Sequence, residues 1–482
     1  MEPNQTTRRE LTRRSFLGRG ALGVGAMAAS DLLGLMRPAW AARRAVDGPS
    51  PVHRPRATRV IYLALSGAPP QHDLWDPKPK LQELHGTLCP QSMLEGRRLA
   101  FIKGHPTLLG SPFPVNRIGR QGMLMGSQMP HFARIVDKVC VVRSLHTDQF
   151  NHAPADLMLY TGNAQPGGAG MGAWANYGLG SLSEDLPGFV VLVSGGSDPT
   201  GGKSTWSSGY LPSEYQGVRL RSKGEPVLYV TDPKGMDRAS RRRSLDTLAA
   251  LNRRTAQASG DPEVTARIEQ FELAFRMQAS VPDAVDLSQE RPETLAEYGA
   301  VPGDGSFAGH CLLARRLVER GVRWVQLHNW GWDIHGTSAG DDLEESFPKK
   351  CLEVDRPIAA LLLDLDRRGL LDETLVVCSG EFGRTPMNEA RGGSKKLGRD
   401  HHPDCFSGWL AGAGVHAGMI HGETDELGYE IVRDPVSVHD LQATILHLLG
   451  LDPLTLRYPF QGLDQRLIGP AAGPRVVHEL FS

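Results

Sequence analysis

Hydrophobic residues along this chain fall into short, near-continuous runs, not into strict alternation. "RVIYLALSG" (59–67), "DKVCVVRSL" (137–145) and "FVVLVSGG" (189–196) each read as a strand buried on both faces, closed by glycine or a polar turn. "VRWVQLHNWG" (322–331) and "TLVVCSG" (374–380) extend the series, and "GWLAGAG" (408–414) is a weaker member. Between them the period changes. Leu245, Leu248 and Leu251, then Ile268, Phe271, Leu273 and Phe275, place a helical pattern over 242–280. "GHCLLARRLVERG" (309–321), "VDRPIAALLLDLDRRG" (354–369) and "SVHDLQATILHLLGL" (437–451, opened by Ser437) read as helices. Strands alternating with helices at this spacing predict an α/β fold with a mostly parallel central sheet flanked by helices. Its ligands are expected beyond the carboxyl ends of the strands.

The domain reading follows. Residues 1–41 carry Arg13 and Arg14, a weakly apolar Gly/Ala run and "AWA" at 39–41, the pattern of a twin-arginine export signal. Arg19, Asp31 and the glycines argue against a stable membrane span. Residues 42–57, rich in Arg and Pro, read as a linker, and 58–482 as one domain with an insertion at about 197–300. Export implies a periplasmic or extracytoplasmic location. The chain holds 53 Lys and Arg against 54 Asp and Glu, a net charge of −1, which leaves no basic groove for nucleic acid. Its six cysteines form no C-x-x-C pair, so no zinc ribbon is expected.

Chemistry gathers where the strands end. The first is followed by His72, Asp73 and Asp76, and the second by His146, Asp148 and His152. The fourth is followed by Asp333 and His335. The fifth is followed by Glu381 and then by Asp400, His401 and His402. A parallel sheet collects such positions on one edge. Mixed carboxylate and imidazole groups without thiolate suit one or two divalent ions, with zinc, calcium and manganese as candidates. Each signal alone has a plainer reading: a D-x-H pair can be a helix cap, and Glu381 can pair with Arg384. The expected ligands are Asp73, Asp333, His335, Glu381 and His401.

These residues resemble a known superfamily. "TLVVCSGEFG" is similar to the strand that ends in the metal turn of sulfatases, phosphodiesterases and alkaline phosphatases, and "NHAPADLMLYTG" resembles the sulfatase nucleophile helix. "HDLWDPKP", "WSSGYLP", "GWDIHG", "GEFGRTP", "GRDHHPD" and "GETDE" resemble the exported bacterial family called domain of unknown function 1501, from about residue 59 to 455. The resemblance implies an alkaline-phosphatase-like fold and a metal-dependent hydrolase of phosphate or sulfate esters or a related anionic small-molecule or glycan substrate. It matches Asp73, Asp333, His335 and His401 to metal positions. Glu381 stands where an Asp is expected, and Phe382 where a His is. His152 occupies the position of the sulfatase nucleophile, so no Ser, Thr or Cys is present there. His152 then reads as a ligand, an acid/base or a phosphoryl acceptor. Thr147 is the nearest hydroxyl that could attack, and Arg384, with Arg399, is the expected clamp for substrate charge. The rival reading is a non-catalytic exported binding or scaffold protein that keeps the fold.

Overall fold

The computed structural model describes residues 51–97, 99–221, 236–259, 262–470 and 473–481. The signal-like segment 1–41 and most of the Arg/Pro-rich stretch lie outside them. The end of that stretch, 51–57, is seated on the last helix: Arg56 and Ala57 N–H donate to Leu448 O, and Val52 N–H donates to Gly450 O.

A single sheet organises the chain. Its strands are β1 (Arg59–Ser66), β2 (Val139–His146), β3 (Phe189–Ser194), β4 (Val218–Arg219), β5 (Trp324–Trp330), β6 (Thr374–Ser379), β7 (Phe406–Ala411), β8 (Ile420–His421) and β9 (Val436–Ser437). The order is β8-β2-β7-β6-β1-β5-β3-β4, with β9 also on β2. All neighbours pair in parallel except β7, which runs antiparallel to both β2 and β6. The fold is therefore α/β with a mostly parallel central sheet flanked by helices.

The period of two along each strand divides the core. Ile61, Leu63 and Leu65 of β1 face one layer, together with α5 (Phe307–Glu319) and α6 (Ser346–Arg367). Val60, Tyr62 and Ala64 face the other, with α1 (His152–Thr161), α2 (Met171–Leu179) and α7 (Val438–Leu448). Burial on both faces is why the strands read as unbroken apolar runs. Residues 197–300 hold two long helices, α3 (Arg238–Ser259) and α4 (Pro262–Val285), and β4 at the sheet edge. Among the described residues no helix is long and apolar enough to cross a membrane. All six cysteines are buried and unpaired.

Direction of the strands explains what can meet at one edge. The parallel strands end where antiparallel β7 begins. The chain entering β7, residues 398–405, therefore lies at the same edge as the segments leaving β1, β5 and β6. A two-residue antiparallel ladder ties it there, pairing His401 with Arg384 and His402 with Gly383.

Gly67, just past β1, makes that edge possible. Its φ is +108°, a region that L side chains rarely adopt. A Cβ there would stand 2.7 Å from Asp333 N and 2.9 Å from Trp332 N. Both are backbone atoms, so neither can swing away. Gly67→Ala should lower stability by roughly 2–5 kcal/mol, from left-handed backbone strain and overpacking together. A urea unfolding midpoint equal to that of the parent would show that the turn relaxes freely.

Candidate metal centre

Four side chains from three separate segments converge at this edge. Asp333 and His335 follow β5, His152 opens α1, and His401 lies on the ladder before β7. One ligand atom from each lies within 4.8 Å of the others, a span open to groups around one ion with bonds of about 2.0–2.2 Å. His335 Nε2 is 2.8 Å from Asp333 Oδ1, His152 Nε2 is 3.1 Å and His401 Nε2 is 3.2 Å. Arg384 Nη2 reaches the same oxygen at 2.5 Å. Four nitrogens thus surround one oxygen, which has only two lone pairs to offer. His152 Nε2 is buried and makes no hydrogen bond at all.

The other ring nitrogen of each histidine is committed. His152 Nδ1 lies 2.5 Å from Glu381 Oε1. His335 Nδ1 bonds Glu389 Oε2. His401 Nδ1 donates to Phe150 O at 2.7 Å. A carboxylate or carbonyl accepts only an N–H, so each Nδ1 carries the proton and each Nε2 is left with its lone pair in the neutral ring. Outer partners that fix the tautomer in this way are the usual companions of metal-ligating histidines. Without a cation among them, imidazole lone pairs would confront a carboxylate.

The electrostatics describe the same frustration. Burial disfavours charged His152, but the Asp333 and Glu381 carboxylates outweigh it and push its pKa up to about 9. Burial, with Arg384 and His152 nearby, pushes His401 down to about 3. Burial alone would raise Asp333. The Arg384 guanidinium and the three imidazoles reverse this and hold its carboxyl well below the ordinary range. At His335 too the Asp333 and Glu389 carboxylates outweigh burial and raise the pKa, so the two rings draw positive charge to the place where a divalent ion would supply it.

The remaining expected residues are used otherwise. Glu381, 2% exposed, accepts from Gly67 N–H at 3.0 and 3.2 Å and from His152. It orients His152 and is not one of the four converging groups. Asp73 forms a fully buried two-point pair with Arg399, at 2.7 and 3.2 Å, and so faces a guanidinium in place of an ion. Arg384 is also fully buried. Its Nε donates to Ala68 O, its Nη1 to Arg399 O and its Nη2 to Gly67 O and Asp333, which leaves little to clamp a substrate. Thr147 sits in the turn after β2, where its hydroxyl accepts from Gln149 N–H and its own N–H donates to Pro403 O. Its hydroxyl makes no hydrogen bond to the four groups. Asp400 organises the loop, accepting from Phe101, Ile102 and His401 N–H. His402 turns away to bond Tyr429 O.

Three participants have no sequence signal. Glu389 lies in what reads as a surface loop, yet it is 5% exposed and bonds His335. Phe101 packs edge-on against the rings of His335 and His401, at 5.3 and 5.2 Å. The Phe150 carbonyl is a backbone group that no residue type announces. Phe382, buried, wedges beside His401 and His152 at 4.5 and 4.9 Å.

Over 134 residues the chain is 28% identical to lipoteichoic acid synthase 2 of Bacillus subtilis (strain 168), and it spans 19% of that relative's length. Among solved structures it is similar to the PsFucS1 sulfatase from Pseudoalteromonas sp., at 12% identity and a TM-score of 0.35, over 88% of this chain and 74% of that one. It is also similar to the phosphonate monoester hydrolase SpPMH from Silicibacter pomeroyi, at 11% identity and a TM-score of 0.35, over 89% and 76%. A family model described as "Protein of unknown function (DUF1501)" matches residues 57–481, and the chain belongs to that family.

Proposed function

We propose that this chain holds a divalent ion on His152, Asp333, His335 and His401 and hydrolyses phosphate or sulfate esters, or a related anionic substrate of small-molecule or glycan type. One observation carries the reading: three imidazoles, His335 and His401 buried and His152 half-buried, each with Nδ1 bound to its own acceptor, turn Nε2 toward a single carboxylate oxygen. Three nitrogen donors and one oxygen suit zinc or manganese. Calcium, which takes about 6–8 oxygen ligands, fits this set less well. When bound, the ion would supply Lewis acidity to an ester oxygen.

The protein's own groups do the positioning. Glu381 and Glu389 hold the Nδ1 protons of His152 and His335, which keeps both rings aimed. Arg384 neutralises Asp333 from the buried side. Phe382 and Phe101 wall the rings and limit water around them. Asp333 is 28% exposed, so the centre is open to solutes on that side. Among the described residues no hydroxyl hydrogen-bonds to the four groups, which favours attack by water over a side-chain nucleophile. The same lack, with the commitment of Arg384, is what favours the second reading, an ion-holding scaffold without catalysis. Export belongs to the proposal as well: Arg13 and Arg14 suit a route that carries folded, ion-loaded domains.

Elemental analysis of the purified protein should find a single divalent ion per chain, absent from His401→Gln. Glu381→Gln should weaken ion affinity by about 10–100-fold and not abolish it, as expected for an outer partner. Complete loss would put Glu381 in direct contact with the ion. Full retention would mean that it does not hold His152.

The activity test uses p-nitrophenyl phosphate, bis(p-nitrophenyl) phosphate and p-nitrophenyl sulfate. At least one should be cleaved, with cleavage lost on chelation and restored by zinc or manganese. Ion-loaded protein that cleaves none of them would sink the hydrolase reading and leave the scaffold.

A further inference from the structure

An anionic substrate needs a cation that is both near the ion and free to donate. Arg384 and Arg399 fail the second condition: both are 0% exposed, and their donors are spent on Asp333, Asp73 and backbone carbonyls. Lys396 is bound by Asp342 and Glu345.

Arg391 is free to donate and stands behind His335, on the Nδ1 side of the ring whose Nε2 faces Asp333. Its guanidinium lies over the ring of Phe101, 4.0 Å from the centroid, and Phe101 itself abuts His335 and His401. Its Nε donates to Glu389 Oε1 at 2.5 Å, the same carboxylate that holds His335. Its Nη2 stands 3.3 Å from His335 Nδ1. The side chain is 39% exposed, and among the described residues Nη1 has no hydrogen-bond or ion-pair partner. Two contacts therefore fix the plane of the guanidinium and leave one edge for a ligand. The backbone adds a second sign. Ala390, directly before it, has φ of +46°, strain of a kind that collects at ligand sites where surrounding contacts enforce it. Here Glu389 N–H to Gly398 O and Gly393 N–H to Ala390 O enforce it.

Resting on the metal-centre reading above, we infer that Arg391 is the anion-docking residue of this site and receives a tetrahedral phosphate or sulfate oxyanion on its outward edge. The stacking on Phe101 and the pair with Glu389 pre-organise it, so little side-chain freedom is lost when the anion binds. The planar fork of arginine matches two oxyanion oxygens, which lysine cannot do.

The test titrates inorganic phosphate, and separately inorganic sulfate, into ion-loaded wild type, Arg391→Ala and Arg391→Lys. Binding is followed by calorimetry, and ion content is measured on the same samples. Wild type should bind at least one of the two anions. Arg391→Ala should bind it about 10–100-fold more weakly, the worth of hydrogen bonds to a charged group, and Arg391→Lys should fall between. Ion content should stay at the wild-type level. Unchanged affinity in Arg391→Ala overturns the proposal. So does a loss that tracks loss of the ion, because Arg391 would then act only through Glu389 and His335. No binding of either anion by ion-loaded wild type overturns it too. A failure of the metal-centre reading is distinct, since it appears as wild type without an ion.

Discussion

Asp333 Oδ1 is the point on which this end of the molecule turns. One partly exposed carboxylate oxygen faces a guanidinium and three imidazole nitrogens. Taking a carboxylate out of water costs several kcal/mol unless it is paired, and Arg384 is the pair. The rest of that guanidinium binds the carbonyls of Gly67, Ala68 and Arg399. One side chain thus joins the exits of β1 and β5 to the segment that enters β7. Charge neutralisation and loop assembly are the same set of hydrogen bonds.

The acids around this point are each answered differently. Asp73 has Arg399, Glu389 has His335 and Arg391, and Glu381 has the Gly67 N–H and His152. Carboxylates that cluster at a sheet edge need either ions or internal cations to suppress their mutual repulsion. Here arginines take that part around Asp73 and Asp333, and among the described residues the groups that could hold an external ion are the three imidazoles with Asp333, and His335 with Glu389 and Asp400.

Much of this was legible from residues in order. Apolar runs marked β1, β2, β3, β5 and β6, because burial on both faces removes the polar alternation that would hide a strand. Asp333, His335, His152 and His401 stood out as acid and imidazole just past strand ends or just before a helix. Other parts were not legible. Helix α2 is written "MGAWANYGL", a glycine-containing stretch with weak local preference. Gly172 is there because any Cβ would strike the rings of Trp324 and Phe189 at 2.7 and 2.8 Å, a fact about distant strands. The reversed direction of β7, which brings His401 to the edge, leaves no mark on composition.

By itself the amino-acid order determined the long buried strands, the class of sheet and the kind of atoms delivered to its edge, because periodicity and residue chemistry are local. It did not determine which acid would meet which cation. Asp73 and Glu381 carry the same charge as Asp333, and nothing in their neighbours distinguishes ligand from counter-ion. That choice depended on groups far away in sequence: Arg399 lies 326 positions from Asp73, and Glu381 lies 229 from His152. Only the tertiary structure decides such pairings, since the Coulomb energy of a buried charge is set by distance in space and not along the chain.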